Sequence, residues 1–88
     1  MATVHVPPQM RDLTAGAAEV EIDGRNLRAV IAALDARFPG FQARVVVAGR
    51  LSPGIAVSID HVVTSLGLIA RVGETSVIHF VPAIAGGT

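Results

Sequence analysis

Apolar side chains recur along this chain at two periods, and each period suits one kind of element. Alternation runs through Thr3 to Val6, with Val4 and Val6 on one side and Thr3 and His5 on the other. It returns at Ala18 to Ile22, where Val20 and Ile22 alternate with Glu19 and Glu21, and at Ile55 to Ile59. It appears last at Val77 to Val81, where Ile78 and Phe80 oppose Val77, His79 and Val81. Successive strand side chains point to opposite faces, so each run predicts a strand with one face in a core. Pro7-Pro8 ends the first run, and Gln9 to Gly16 reads as a loop joining the first two strands in an antiparallel hairpin.

The second period is helical. Leu27, Val30, Ile31, Leu34 and Phe38 make an apolar stripe of about three turns, with alanines on its flanks. Asp23-Gly24 reads as a turn and Asn26 as an N-cap, because its side chain can accept an orphan backbone N–H. Pro39-Gly40 stops the helix, which is predicted over Leu27 to Phe38. From Phe41 to Gly54 the pattern is open: Val45 to Val47 suits a strand or the end of a second short helix. Asp60-His61 turns, Val62-Val63 suits a brief return strand, and Thr64 to Val72 is a loop with room for one helical turn.

The order is therefore strand, strand, helix, strand, short strand, strand. The first and last strands are too apolar for edges, so they belong side by side in the middle of a mixed sheet of four or five strands. One helix covers one face of such a sheet and leaves the other partly open to water. This α+β arrangement is a β-grasp, expected over residues 1–82 and followed by a flexible tail over 83–88.

Composition narrows the chemistry. Eighty-eight residues suit one domain, and a hydrophobic fraction of 51% with three phenylalanines implies a core of Val, Ile, Leu and Ala. Seven arginines balance seven acids and are scattered, which argues against a nucleic-acid partner. No apolar run is long enough to span a bilayer, and residues 1–12 lack the pattern of a secretory signal, so a cytoplasmic protein without a membrane partner is expected. There is no cysteine to act as nucleophile or zinc ligand, and no lysine to accept an isopeptide bond. His5, His61 and His79 do not make a metal site by spacing, and no catalytic triad or phosphate loop is visible. The residues thus offer no candidate for catalysis or for holding a cofactor or metal.

The tail carries the remaining signal. After Pro82 come Ala83, Ile84, Ala85, Gly86, Gly87 and Thr88, with no bulky polar group. Glycine lets another protein's groove close on the backbone, so a diglycine after a strand suits a carboxylate threaded into a partner's active site. A frayed end of small residues is the competing reading.

Four stretches, taken in order, resemble the MoaD/ThiS sulfur-carrier family, prokaryotic relatives of ubiquitin. They are Val6 to Gly16, Ala36-Arg37-Phe38-Pro39-Gly40-Phe41, Val57-Ser58-Ile59-Asp60, and Phe80-Val81-Pro82-Ala83-Ile84-Ala85-Gly86-Gly87. The resemblance implies a carrier whose Gly87 carboxylate is adenylated by a ubiquitin-activating-type adenylyltransferase using ATP and Mg. A sulfur donor then converts it to a thiocarboxylate for a sulfur-accepting synthase. Ile84, Ala85 and Gly86 would thread the partner's channel. Val77, His79 and Val81, on the sheet face that no helix covers, are the candidate partner interface on exposure alone. Molybdopterin, cysteine and specialised-metabolite pathways all stay open, as do a ubiquitin-like protein modifier joined through Gly87 and a β-grasp binding domain with an inert tail. The chain departs from the family pattern at Asp60, where asparagine is usual, and at Thr88, which follows the diglycine. Thr88 implies a precursor trimmed by a metal-dependent peptidase, a natural variation or an added residue.

Overall fold

A computed structural model describes residues 1–82. Its elements in chain order are β1 (Ala2–His5), β2 (Glu19–Ile22), α1 (Leu27–Arg37), α2 (Phe41–Val45), β3 (Val46–Val47), β4 (Arg50–Leu51), β5 (Ile55–Ile59), β6 (Val62–Val63) and β7 (Val77–Pro82). Two 3₁₀ segments, Pro8–Thr14 and Gly67–Ile69, lie in the connections. The main sheet runs β2-β1-β7-β5-β6, and β3 and β4 form a separate hairpin. β1 and β7 are parallel neighbours at the centre, while the other pairings in that sheet are antiparallel. This is the expected mixed sheet of a β-grasp.

The sheet is mixed because of where its apolar residues fall. Ala2, Val4, Val20, Ile22, Val57, Ile78 and Phe80 all face one side and are buried with Leu27, Val30, Ile31 and Leu34 of α1. Asn26 caps α1, its Oδ1 accepting from the Ala29 N–H at 2.8 Å. The helix ends at Arg37, one residue short of the expectation. Phe38 precedes a proline, which disfavours helical backbone, and takes φ −130° and ψ 83° as the C-cap. Phe41 occupies the core instead, fully buried and edge-on to Phe80 at a centroid distance of 5.6 Å. Asp35 fixes this corner by accepting from the backbone N–H groups of Gly40 and Gln42.

Two local expectations need correction, and one stretch left open is resolved. The segment after Pro7-Pro8 is a 3₁₀ helix rather than an irregular loop. Its proline suits a first helical turn, and Met10 and Thr14 turn inward. The buried Thr14 hydroxyl donates to the Ala17 carbonyl at 2.9 Å, and Arg11 Nε donates to the Val6 carbonyl at 3.1 Å, so Arg11 helps hold this segment. The open stretch after Phe41 contains both alternatives in sequence, a short helix running directly into a two-residue strand. Asp23-Gly24 lies between β2 and α1 without forming a turn. Gly24 is small because a Cβ there would lie 2.7 Å from Val30 Cγ2 and 2.8 Å from the Val30 backbone nitrogen.

Candidate functional site

The sheet face turned away from α1 is built by register. On β7, Ile78 and Phe80 point into the core, so Val77, His79 and Val81 emerge on the other side, as expected, with Val81 48% exposed. Thr3 lies beside Val77 and His5 beside His79 on β1, while Ala56 pairs with Val81 and Ser58 with His79 on β5. Val63 on β6 pairs with Ser58, and Glu19 and Glu21 on β2 pair with His5 and Thr3. The face is therefore graded, from an acidic edge at β2 through a histidine centre to an apolar side at Ala56, Val81 and Val63.

Three histidines that are distant in the chain meet at this centre. The His5 and His79 rings stack with centroids 4.5 Å apart and planes 8° from parallel. His61 lies 6.0 Å from His79. Glu19 Oε1 sits 3.5 Å from His5 Nδ1. Partial withdrawal from water holds the His79 imidazole below its usual range, and the neighbouring His5 and His61 act in the same direction. The sequence reading weighed these residues by spacing alone and missed the grouping, because the parallel β1–β7 register brings His5 to His79 and the β5–β7 pairing brings the turn with His61 beside them. Among the described residues, no group of three or more His, Cys, Asp or Glu side chains is arranged to hold a metal ion.

The β5–β6 turn sets where β7 begins. Asp60 and His61 have φ of 52° and 71°, the left-handed pair that a two-residue hairpin requires and that non-glycine residues adopt at a cost. Asp60 offsets this by bonding: its carboxylate accepts from the Val77 N–H at 2.9 Å and from the Ser76 hydroxyl at 2.8 Å. The Val77 bond and then the Ser76 bond hold the Asp60 carboxyl below the usual carboxylate range. Asp60 thus ties the turn carrying His61 to the first residue of β7. That role was not assigned to it from sequence.

β7 leads directly from Val81 to Pro82, where the described residues end. The expected tail residues Ile84, Ala85, Gly86, Gly87 and Thr88 lie outside them. No helix among the described residues is long and apolar enough to cross a membrane. A second run of exposed apolar residues, Val62, Val63, Leu66 and Ile69, follows the edge strand into the second 3₁₀ segment. Sequence reading placed those residues in a brief strand and a loop and gave them no role.

Comparison with known proteins places the chain. The Sulfur carrier protein CysO of Mycobacterium tuberculosis is 33% identical over 92 residues, which cover 97% of each chain. The crystal structure of an Amycolatopsis orientalis BexX/CysO complex contains a chain with TM-score 0.91 and 31% identity, covering 99% of this chain and 100% of that one. The crystal structure of Mycobacterium tuberculosis CysO matches with TM-score 0.89 at 26% identity, covering 96% of this chain and 100% of that one. The family model described as ThiS family matches residues 4–87, nearly the whole sequence and both glycines of the diglycine, so this chain belongs to the ThiS family.

Proposed function

We propose that this chain is a sulfur carrier acting through its diglycine. The observation that carries the reading is the family match, which runs from residue 4 to residue 87 and so ends on the second glycine. The similarity to a protein named as a sulfur carrier over nearly the full length supports it. The chain is non-catalytic: its part is to present a carboxylate, and partner enzymes supply ATP, Mg and the chemistry.

A carboxylate is a poor electrophile because its charge is shared over two oxygens. In the proposed sequence, the Gly87 carboxylate oxygen attacks the α-phosphorus of ATP and pyrophosphate leaves. Hydrosulfide from the sulfur donor then attacks the acyl carbon, AMP departs and the sulfur loses its proton, leaving a thiocarboxylate that a synthase can consume. Glycine suits the first step because an unhindered backbone reaches a narrow site without a side chain to exclude. While Thr88 is attached, the Gly87 carboxyl is held in a peptide bond and cannot be adenylated, so a metal-dependent peptidase cutting after Gly87 precedes activation. The open face at Val77, His79 and Val81 docks the activating enzyme, because β7 delivers the tail from the edge of that face. The Amycolatopsis relative, whose structure is described as a complex, supports a carrier that works bound to another protein. The pathway served is a cytoplasmic one that consumes a thiocarboxylate, whether for molybdopterin, cysteine or a specialised metabolite.

The test is ATP–pyrophosphate exchange by the cognate adenylyltransferase. A chain ending at Gly87 should drive exchange and the chain ending at Thr88 should not. Equal exchange by both would remove the trimming step, and exchange by neither would remove the carrier reading.

A further inference from the structure

The stacked histidines occupy the place on the open face where an interface needs apolar contact, and their chemistry depends on protonation. We propose that the His5–His79 stack makes docking on this face proton-linked: the activating enzyme is accepted while both imidazoles are neutral and released when the stack takes up a proton. This rests on the reading that the open face docks that enzyme, through continuity of β7 with the tail it must activate.

Geometry carries the inference. β1 and β7 are adjacent interior strands whose parallel register sets His5 and His79 side by side. Neutral rings 4.5 Å apart and nearly parallel attract one another, whereas two imidazolium rings at that separation repel. The surrounding groups define the response. Glu19 on β2 lies 3.5 Å from His5 Nδ1, and Glu21 lies one pair further along the same edge. His61 in the β5–β6 turn faces His79 from the other side, its ring centroid 6.0 Å away. Asp60 in that turn has its carboxylate committed to Val77 and Ser76, and Ser58 on β5 is uncharged.

Val77, Val81 and Ala56 flank the stack, so the complementary partner surface is apolar at its centre. Covering a neutral imidazole with such a surface costs a hydrogen bond to water, while covering a charged one costs far more. The complex therefore holds fewer protons than the free chain, and by linkage its affinity falls as pH is lowered. The direction of the His79 shift agrees, since that ring already resists protonation in the free protein.

The experiment is calorimetric titration of the chain into the activating enzyme across about pH 8 to about pH 5.5, in two buffers of different ionisation enthalpy. For the native chain the dissociation constant should rise roughly tenfold over that range, with net proton release on binding in the acid half. The double variant His5→Thr/His79→Thr keeps strand-forming residues, and His79→Gln keeps a neutral polar group; circular dichroism at both extremes establishes that each is folded. Both should bind at alkaline pH with a flatter pH response, the double variant the flattest. An unchanged pH response in the folded variants, or tighter binding of the native chain in acid, overturns the proposal while leaving the docking face intact. Absence of binding at every pH overturns the docking reading and this proposal with it.

Discussion

Gly24 offers a sharp test of how α1 is seated. Its backbone is not left-handed, so its freedom of φ is not what the position uses. A Cβ added there would meet Val30 Cγ2 at 2.7 Å, Val30 N at 2.8 Å and Val30 Cα at 3.1 Å. Comfortable carbon–carbon contact begins near roughly 3.5 Å, so the neighbours would have to retreat by several tenths of an ångström. The Val30 backbone cannot do so alone. Its N–H bonds to the Asn26 carbonyl at 3.1 Å, and Leu27, Val30, Ile31 and Leu34 are all buried on that helix. Gly24→Ala should therefore cost about 1–3 kcal/mol as overpacking. At roughly 4–8 °C per kcal/mol for a domain of this size, the melting temperature should fall by about 4–24 °C. Thermal and urea unfolding followed by circular dichroism read this directly. The double variant Gly24→Ala/Val30→Ala separates the causes. Removing the Val30 methyls relieves Cγ2 but leaves N and Cα in place, so the two losses should be close to additive. A neutral or stabilising Gly24→Ala, as for a glycine that merely adds chain entropy, would refute the packing argument. Substantial rescue by Val30→Ala would refute its backbone origin.

Leu34→Ala, at a fully buried site against the sheet, should cost about 2–5 kcal/mol in urea unfolding. A loss below about 1 kcal/mol would mean that α1 does not seal the core there. Val81→Asp should leave the melting temperature nearly unchanged while weakening binding to the activating enzyme by about 2 kcal/mol or more, since a carboxylate would be desolvated at the interface; equal affinity in calorimetry would exclude this face. Stability should fall in two acid windows with opposite origins. His79 titrates lower in the folded chain than its ordinary 6.5, so the unfolded chain takes up its proton first and stability drops as pH falls below 6.5. Asp60 is also lowered, so its contribution is full above its ordinary 3.8 and is lost as pH falls through the folded value. Denaturation curves of His79→Gln and Asp60→Asn should each lack one of these windows, and persistence of both in either variant would contradict the assignment.

Much of this architecture is legible in the chain because burial imposes a period. Val20 and Ile22, Ile55 to Ile59, and Ile78 with Phe80 alternate because one face of each strand is covered, and Leu27 to Leu34 repeat helically because α1 is covered on one side. The placement of β1 beside β7 also follows from their apolar character. What stays hidden is either too short to show a period or depends on distant pairing. The two-residue strands at Val46–Val47 and Arg50–Leu51 are examples of the first kind. The inward turn of Met10 and Thr14 follows from a 3₁₀ segment that simple alternation cannot signal. Gly24 looked like a turn glycine because its tight neighbour, Val30, is specified only by how α1 packs. The histidine cluster is the plainest case of distant pairing. His5 and His79 share a register position on parallel strands, and nothing local to either residue announces the other. Asp60 stood out as a departure from the family pattern, but its two bonds to Ser76 and Val77 become visible only once β7 begins beside the turn.

The central claim, a carrier whose second glycine is activated and loaded with sulfur, is tested most directly by intact mass spectrometry. The chain ending at Gly87 would be incubated with its cognate adenylyltransferase, ATP, Mg and a sulfur donor, beside the chain ending at Thr88. The trimmed chain should gain the mass difference between one sulfur and one oxygen, localised to the C-terminal peptide, and the full chain should gain nothing. A trimmed chain that never gains sulfur but becomes amide-linked to lysines of other proteins would contradict the carrier and establish a modifier; one that stays unchanged with every activating enzyme offered would leave a β-grasp binding domain with an inert tail.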